Sequence, residues 1–251
     1  MALNGIIDVR FWQGKRVLMT GHTGFKGSWL CEILLRLEVE VHGLALAPDT
    51  RPAIFDSLGL ADRIASHEIG DVRSADVLFS AFERVKPDLA LHMAAQPIVS
   101  IGYDDPVGTF ATNVMGTLHF LDAARQCCGE IPLLVISSDK CYRNLENGAA
   151  FTERSPLGGK DPYSASKAGT ELVCEAYRES YFNETGTPRL ASARAGNVIG
   201  GGDWCVNRLV PDMARAFGAE DTVVIRSPSA TRPWQHVLEP LYGYLLCLEA
   251  L

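Results

Sequence analysis

Three glycines in one short turn restrict the fold of this chain more than any other feature of its sequence. Gly21, Gly24 and Gly27 follow an apolar, strand-like run over residues 16–19 and precede an apolar helix-like segment. Glycines there allow a sharp turn, and the backbone N–H groups at the start of the helix can then face a pyrophosphate. A second strand-like run over residues 39–46 completes a strand–helix–strand unit. The unit predicts a dinucleotide-binding site near the N-terminus.

The end of the second strand leaves the choice between NAD and NADP open. In dinucleotide-binding domains an acidic residue at this point commonly holds the adenosine ribose. Residues 44–47 contain no acidic residue. Asp49 lies beyond the end of the strand, and Arg51 is basic. This stretch therefore predicts a dinucleotide without specifying which one.

Composition and charge exclude several kinds of protein. The formal net charge of −7 over 251 residues argues against broad binding to nucleic acids or anionic membranes. No apolar run approaches the length of a membrane span, and the first ten residues lack a secretory leader pattern. The seven cysteines show no metal-ligand spacing, and their odd number, with Cys127 and Cys128 adjacent, indicates reduced thiols. We predict a cytoplasmic globular protein without a metal site.

Strand-like and helix-like segments alternate along the rest of the chain. Ser74, Asp105 and Asp161 are predicted to cap three helices, and proline follows the last two at the first helical position. Such alternation predicts an α/β fold, a doubly wound parallel sheet of Rossmann type with helices on both faces. Further strands are predicted at 68–69, 89–93, 133–136 and 190–193, and helices at 75–86, 106–127 and 162–182.

Polar clusters follow the fourth and fifth strands, where ligands of such sheets bind. Ala94 and Ala95 are small enough to let a nicotinamide ribose approach the backbone, although tight packing explains them equally well. Ser138, Asp139 and Lys140 follow the fifth strand. They are either a solvated turn or an acid and a base with separate tasks.

The helix after the second cluster carries Tyr163 and Lys167 at i, i+4 spacing, which places them on one face. A lysine ammonium near a phenol favours the phenolate and lowers the pKa of the phenol. The spacing also occurs by chance. The three clusters in this order, each near a strand end, are more specific than any one of them.

The glycine turn and the Tyr163–Lys167 pair together resemble the extended short-chain dehydrogenase/reductase superfamily. Longer motifs resemble its CDP-glucose 4,6-dehydratases from about residue 12 onward. The Asp139–Lys140 pair distinguishes this group from related dehydratases that act on other nucleotide sugars, because those typically carry Asp-Glu at the same place. The matching segments are residues 20–30, 92–97, 112–117, 137–142, 161–167, 194–204 and 232–240.

This resemblance implies dehydration of CDP-D-glucose to CDP-4-keto-6-deoxy-D-glucose by an internal redox cycle through NAD. Tyr163, held as phenolate by Lys167, is expected to deprotonate the sugar 4-hydroxyl, and Ser138 to hydrogen-bond the same oxygen. Lys140 is the expected base at C5, and Asp139 the acid for the departing 6-hydroxyl. Because NAD is regenerated in each cycle, we expect it to copurify.

The resemblance also implies a wider set of binding residues. The expected cofactor-binding residues are Gly21, Thr23, Gly24, Phe25, Lys26, Gly27, Asp71, Val72, Ala94, Ala95, Gln96, Thr112, Tyr163 and Lys167. The expected substrate-binding residues are Asn197, Arg208 and Arg232.

Domain organisation and partners follow from the same resemblance. We assign residues 1–193 to a dinucleotide-binding domain with the catalytic residues, and 194–251 to a small, incomplete nucleotide-sugar-binding region. Because the apolar helical pattern at 239–251 ends without a cap, we expect a following segment to cover it.

The helices at 106–127 and 162–182 predict a homodimer at least. The alternatives are another nucleotide-sugar epimerase or dehydratase, or a truncated, non-catalytic NAD(P)-binding protein.

Overall fold

The computed structural model of the chain describes residues 7–251 and contains the predicted parallel sheet. Six parallel strands lie in the order β3-β2-β1-β4-β5-β6, the doubly wound order of dinucleotide-binding domains. The predicted fold class is therefore confirmed. The strands are β1 (Arg16–Thr20), β2 (Glu40–Ala45), β3 (Ser66–Ile69), β4 (Leu89–His92), β5 (Pro132–Ile136) and β6 (Arg189–Ala193).

Helices cover both faces of this sheet. They are α1 (Val9–Trp12), α2 (Phe25–Arg36), α3 (Ile54–Ser57), α4 (Ala75–Val85), α5 (Val99–Asp104), α6 (Pro106–Phe110), α7 (Gly116–Cys127), α8 (Pro162–Ser180), α9 (Leu209–Gly218) and α10 (Leu238–Ala250). A second, two-stranded parallel sheet joins β7 (Asn197–Ile199) and β8 (Trp234–His236).

Five of the six strands of the main sheet, all except β3, send alternate side chains to two separate cores. In β1, Val17 and Met19 belong to the hydrophobic cluster that includes α2 and α10. Leu18, between them, belongs to the cluster beneath α4, α7 and α8. Strands buried on both faces are apolar at nearly every position, which explains why their sequences show continuous apolar runs.

Two of the three predicted helix caps form as expected. The Asp105 carboxylate accepts a hydrogen bond from the backbone N–H of Gly108 at 2.8 Å, and Asp161 accepts from Ser164 N–H at 3.0 Å. Ser74 occupies the N-cap position of α4, but its side chain makes no capping hydrogen bond there.

The predicted helix over 106–127 is interrupted by one wide turn. Residues 111–115 form a π-helical turn between α6 and α7. Such turns are rare and occur frequently at functional sites, because the extra residue redirects a side chain. Here the turn contains Asn113, which is 1% exposed.

The C-terminal helix packs on the main body of the protein. Leu241, Tyr244, Leu245 and Leu248 of α10 are buried in the same cluster as β1 and α2. Leu238 and Tyr242 of the same helix stay 45% and 40% exposed, and the covering segment expected after α10 stays a prediction. The division of the chain at residue 193 stays a prediction, and α10 packs across it.

The described residues lack two features, membrane-spanning helices and metal-binding clusters. Among residues 7–251, none of the helices combines the length and apolarity that crossing a membrane requires. The same residues hold no group of three or more His, Cys, Asp or Glu side chains arranged to bind a metal ion. The cytoplasmic location stays a prediction.

Candidate active site

The glycine turn lies where the strand order reverses, between the carboxyl ends of β1 and β4. Gly21 has a φ of +76°, and a Cβ atom there would lie 2.6 Å from the backbone nitrogen of Ala94. A Cβ atom on Gly27 would lie 2.2 Å from the carbonyl oxygen of Gly21. Since real Cβ atoms do not approach backbone this closely, both positions require glycine.

The start of α2 has the geometry of a pyrophosphate site. Gly24 is its N-cap, in an extended conformation, and within the described chain no side chain caps this helix start. The first N–H groups of a helix have no intrahelical partner and carry partial positive charge. A dinucleotide pyrophosphate therefore fits this turn, and the cofactor-binding roles of Gly21, Gly24 and Gly27 stay predictions.

Thr20 and His92 hold the two strand ends together, and the sequence analysis missed both. Thr20 Oγ1 lies 2.9 Å from His92 Nδ1 and accepts hydrogen bonds from the N–H groups of Met93 and Ala94. Burial, followed by the charge of Lys167, lowers the pKa of His92 to about 3, so the ring stays neutral. A polar residue ending an otherwise apolar strand was the available signal for Thr20.

Gln96, which is predicted to bind the cofactor, forms hydrogen bonds that stabilise the loop after β4. Its side chain donates to Thr109 Oγ1 at 2.8 Å and accepts from Ile98 N–H at 2.6 Å. Its backbone N–H and carbonyl both pair with the side chain of Asn113. The polar groups of Gln96 thus all have partners within the protein.

Asn113 connects that loop to the catalytic helix. In addition to its two bonds with Gln96, its side chain donates to Ser166 Oγ at 2.8 Å. Thr170 Oγ1, one turn further along α8, donates to the Asn113 carbonyl at 2.8 Å. The neighbouring Thr112, predicted to bind the cofactor, is only partly buried. Sequence reasoning could have found Asn113 only by predicting the π turn.

The remaining predicted cofactor residues lie around the same edge of the sheet. Thr23 is buried and donates to the Leu46 carbonyl at 2.8 Å. Asp71 is paired with Arg73, whose hydrogen bonds hold the pKa of that carboxyl below its ordinary value. Val72 is buried in the core beneath α7. The partly buried residues Phe25, Ala94 and Ala95 complete this edge.

The predicted acid and base lie side by side in a short 3₁₀ turn after β5. Ser138 Oγ donates to Asp139 Oδ1 at 3.0 Å, and Lys140 Nζ lies 3.7 Å from the same oxygen. Lys140 Nζ also donates to Asn197 Oδ1 at 3.5 Å. The structure thus brings a predicted substrate-binding residue to the catalytic turn.

Tyr163 is almost fully buried beside this turn. Burial raises the pKa of its phenol, while a hydrogen bond with Ser138 and the charge of Arg208 act in the opposite direction. This corrects the expectation that Lys167 lowers the pKa of Tyr163. Lys167 Nζ instead donates to the Ile136 carbonyl at 3.2 Å, and burial lowers the pKa of Lys167 itself to about 8.

The two predicted substrate arginines lie in different surroundings. Arg208 Nη1 is 3.0 Å from Asp203 Oδ2, and its charge reaches Tyr163. Arg232 is exposed and donates to the carbonyl of its neighbour Thr231. The structure therefore places Arg208, but not Arg232, close enough to act on Tyr163, the predicted catalytic tyrosine.

A buried ion pair behind the catalytic helix is a further feature that sequence reasoning missed. Arg194 Nη2 donates to Glu171 Oε2 at 2.6 Å, and Ser192 Oγ donates to the same oxygen at 2.8 Å. Arg194 also donates to the Tyr142 hydroxyl at 3.1 Å. Glu171 is one turn beyond Lys167 on α8, so the pair connects this helix to the end of β6, and Arg194 connects it further to Tyr142. A glutamate at i+4 from the lysine was the available signal.

Comparison with protein families and characterised relatives gives consistent matches. Residues 18–250 match the family model described as GDP-mannose 4,6 dehydratase. The chain is 49% identical to a CDP-glucose 4,6-dehydratase of Salmonella typhimurium, over 98% of this chain and 69% of that protein. It is 28% identical to the GDP-mannose 4,6-dehydratase sdnI of Sordaria araneosa, over 94% of this chain and 43% of that protein.

Solved structures with the same fold include two that contain bound NAD. A double mutant of DesIV, a dTDP-glucose 4,6-dehydratase of Streptomyces venezuelae, matches with a TM-score of 0.79 at 26% identity. The match covers 92% of this chain and 70% of that one. A UDP-glucose 4-epimerase of Thermus thermophilus matches with a TM-score of 0.78 at 28% identity, covering 94% of this chain and 75% of that one.

Proposed function

Because this chain belongs to the GDP-mannose 4,6-dehydratase family of the short-chain dehydrogenase/reductase superfamily, we propose that it dehydrates CDP-D-glucose to CDP-4-keto-6-deoxy-D-glucose with NAD as its cofactor. The superfamily predicted from the motifs is thereby confirmed. The proposed substrate is that of the Salmonella relative, a CDP-glucose 4,6-dehydratase.

One observation carries this proposal: the packing of Ser138, Asp139 and Lys140 against Tyr163 in a single group. Ser138 contacts both the Asp139 carboxylate and the Tyr163 phenol. A dehydratase of this kind needs proton transfer at a hydroxyl, at a carbon-bound hydrogen and at a leaving hydroxyl. The group supplies one titratable side chain for each transfer.

The first proton transfer belongs to Tyr163. Its phenol oxygen takes the proton of the sugar 4-hydroxyl, and Ser138 hydrogen-bonds the same sugar oxygen. NAD, when bound, supplies the site that accepts a hydride from the sugar and later returns it. The residues that hold it are the glycine turn at 21–27, the loop at 94–95 and Lys167.

The second and third transfers belong to Lys140 and Asp139. As a neutral amine, Lys140 removes the proton at C5, which the 4-ketone has made acidic. As a protonated acid, Asp139 donates to the 6-hydroxyl, which leaves as water. These two working forms differ from the ion pair by one proton moved between neighbours 3.7 Å apart.

The substrate is tested by incubating the purified protein and NAD with CDP-glucose, dTDP-glucose, UDP-glucose and GDP-mannose in parallel. We expect the 4-keto-6-deoxy product mainly from CDP-glucose. A 4-epimer as product, or a clear preference for another nucleotide, would contradict the proposal and favour a related epimerase or dehydratase. NAD binding with neither product nor cofactor reduction would indicate a non-catalytic protein.

Replacing Asp139 with asparagine should separate oxidation from elimination. The amide cannot protonate the 6-hydroxyl, so product formation should fall by about 10²–10⁴-fold. Because Tyr163 is untouched, oxidation at C4 should still occur and appear as an absorbance signal of reduced cofactor that does not decay. Asp56→Asn, at an exposed site, is the matched control. Unchanged product formation in Asp139→Asn would remove Asp139 from the proposed mechanism.

We also infer that the protein forms a homodimer through the outer face of α5, α6 and α8. Several large apolar side chains on these helices and the π turn are exposed, which is unusual for a surface that faces only water. They are Tyr103, Val107, Phe110, Met115 and Leu172.

The most exposed of these residues provides the test. Val107, with 79% of its surface accessible, should lie inside the dimer interface, so Val107→Asp should yield a monomer in light-scattering mass measurements. Val224→Asp is the matched control, because Val224 is 77% exposed on another part of the chain. A monomeric wild-type protein, or equal effects of the two substitutions, would contradict this interface.

A further inference from the structure

Lys26 extends from the first turn of α2 to the C-terminal helix. Its Nζ atom donates to the Tyr244 hydroxyl at 3.1 Å and lies 5.5 Å from the centre of the Tyr244 ring. Tyr244 itself is buried in the core. Lys26 lies deep in the protein yet retains some accessible surface, which is the position of a group lining a cleft.

The charges around Lys26 are positive. Lys167 of α8 and Arg208, which precedes α9, are the charged groups that act on its amine. Arg208 is paired with Asp203, whereas among residues 7–251 no carboxylate lies within ion-pair distance of Lys26. A deep cation without a counter-charge is unfavourable, because desolvation penalises the charged form. The protein therefore leaves this site to be neutralised by an anion from outside.

The candidate anion has a diphosphate group. NAD and a nucleoside diphosphate sugar both contain one, and both are implied by the proposed function, on which this inference rests. We propose that Lys26, positioned by the Tyr244 hydroxyl, is the counter-ion for a bound diphosphate and takes up a proton when that diphosphate binds.

The protonation of Lys26 supports the proposal. Burial, followed by the charges of Lys167 and Arg208, lowers the pKa of Lys26 to about 7. A diphosphate beside the amine favours the ammonium and raises this pKa. At pH 8 the free protein should hold about a tenth of a proton on Lys26 and the complex nearly a whole one. At pH 6 the amine is already protonated, so little uptake remains.

Tyr244 suits both protonation states of the amine. A phenol hydroxyl accepts a hydrogen bond from an ammonium and donates one to a neutral amine. Burial raises the pKa of Tyr244, so the phenol stays protonated and adds no negative charge of its own. We therefore expect Tyr244 to orient Lys26 without neutralising it.

Proton uptake is measured by titrating the cofactor-free full chain in a calorimeter at pH 8. Two buffers with different ionisation enthalpies give the number of protons taken up per ligand bound. NAD and CDP are titrated separately, and the ligand that shows uptake identifies which diphosphate lies at Lys26. We expect uptake near one proton at pH 8 and little at pH 6.

Two substitutions distinguish the effect of the positive charge of Lys26 from the effect of its change in protonation. Lys26→Arg keeps a permanent positive charge, so binding should persist while proton uptake falls by nearly one proton per ligand. Lys26→Met should lose the uptake and weaken binding by about tenfold, the loss of one charge-assisted contact. Lys160→Met, at an exposed lysine paired with Glu146, is the control and should change neither quantity. Circular dichroism confirms that each variant is folded.

The outcome can contradict this inference independently of the proposed function. Uptake of the same size in folded Lys26→Arg as in wild type, or no uptake with either ligand, would overturn the role of Lys26. Neither measurement requires turnover, so failure to dehydrate CDP-glucose would leave this test unaffected.

Discussion

Tyr163→Phe should reduce the turnover of CDP-glucose by about 10²–10⁴-fold, the range for losing one positioned proton-transfer group. The substitution removes the phenol oxygen while the buried ring is retained, so we expect the fold and NAD binding to persist. Product formation and cofactor reduction should both disappear, because deprotonation of the 4-hydroxyl precedes the later steps. This distinguishes the variant from Asp139→Asn, which should still reduce the cofactor.

The control for this experiment is Tyr103→Phe, at a tyrosine that is 65% exposed. It should retain wild-type turnover. If Tyr163→Phe reduced the cofactor at the wild-type rate, another group would have to take the proton of the 4-hydroxyl, and the proposed mechanism would be wrong.

The pH dependence of turnover provides a second test of the role of Tyr163 as a base. Burial raises the pKa of the phenol, so turnover should increase with pH as the phenolate forms. The hydrogen bond between Ser138 and Tyr163 acts in the opposite direction, toward a lower pKa of the phenol. Ser138→Ala should therefore move the half-maximal point to higher pH. A shift to lower pH, or none, would contradict this role of Ser138.

Glu171→Gln should lower the free energy of unfolding by about 3–5 kcal/mol, the range for removing one partner of a buried ion pair. The Glu171 side chain is 3% exposed and that of Arg194 is 17% exposed. Glutamine has nearly the same shape as glutamate, so the variant leaves the guanidinium of Arg194 buried beside an uncharged amide. Urea unfolding at neutral pH measures the difference.

The matched control is Glu146→Gln, which breaks the exposed pair of Glu146 with Lys160. Surface pairs contribute little, because water solvates both partners whether or not they are paired. We expect no measurable change in this variant. Equal losses in the two variants would show that burial of the Glu171–Arg194 pair has no special role.

The effect of Glu171→Gln should also depend on pH. Burial acts to raise the pKa of Glu171, but the Arg194 and Ser192 hydrogen bonds outweigh it and leave the pKa below the ordinary 4.5. The carboxylate therefore stabilises the folded protein above pH 4.5, and this contribution is lost as the pH falls through the folded-state pKa. The difference between wild type and variant should be largest near neutrality and decrease in acid.

The parts of the fold that depend on short stretches of chain could be predicted from the sequence. Asp105 and Asp161 cap their helices because each bonds a backbone N–H three residues away. The strands follow from apolar runs, and their alternation with helices leads to a parallel sheet. The glycine turn could also be predicted from the sequence, since Gly21 and Gly27 lie within seven residues.

The candidate site was only partly predictable, because some of its contacts join residues that are far apart in the sequence. Ser138, Asp139 and Lys140 are consecutive, so one motif places them together. Gln96, by contrast, looked like a cofactor ligand, but its polar groups pair with Asn113 and Thr109. That pairing depends on the π turn, and the spacing of apolar residues does not reveal where an extra residue widens a helix.

The sequence by itself determined the order of strands and helices, the glycine turn and the motifs of the family, because these depend on neighbouring residues. Only the tertiary structure decided the electrostatics. It placed Lys26 against Tyr244, 218 residues away, and Glu171 against Arg194. It also made Tyr163 a weaker acid than its spacing from Lys167 suggested. The physical reason is desolvation: the cost of a charge depends on everything packed around it, and that packing exists only once the whole chain has folded.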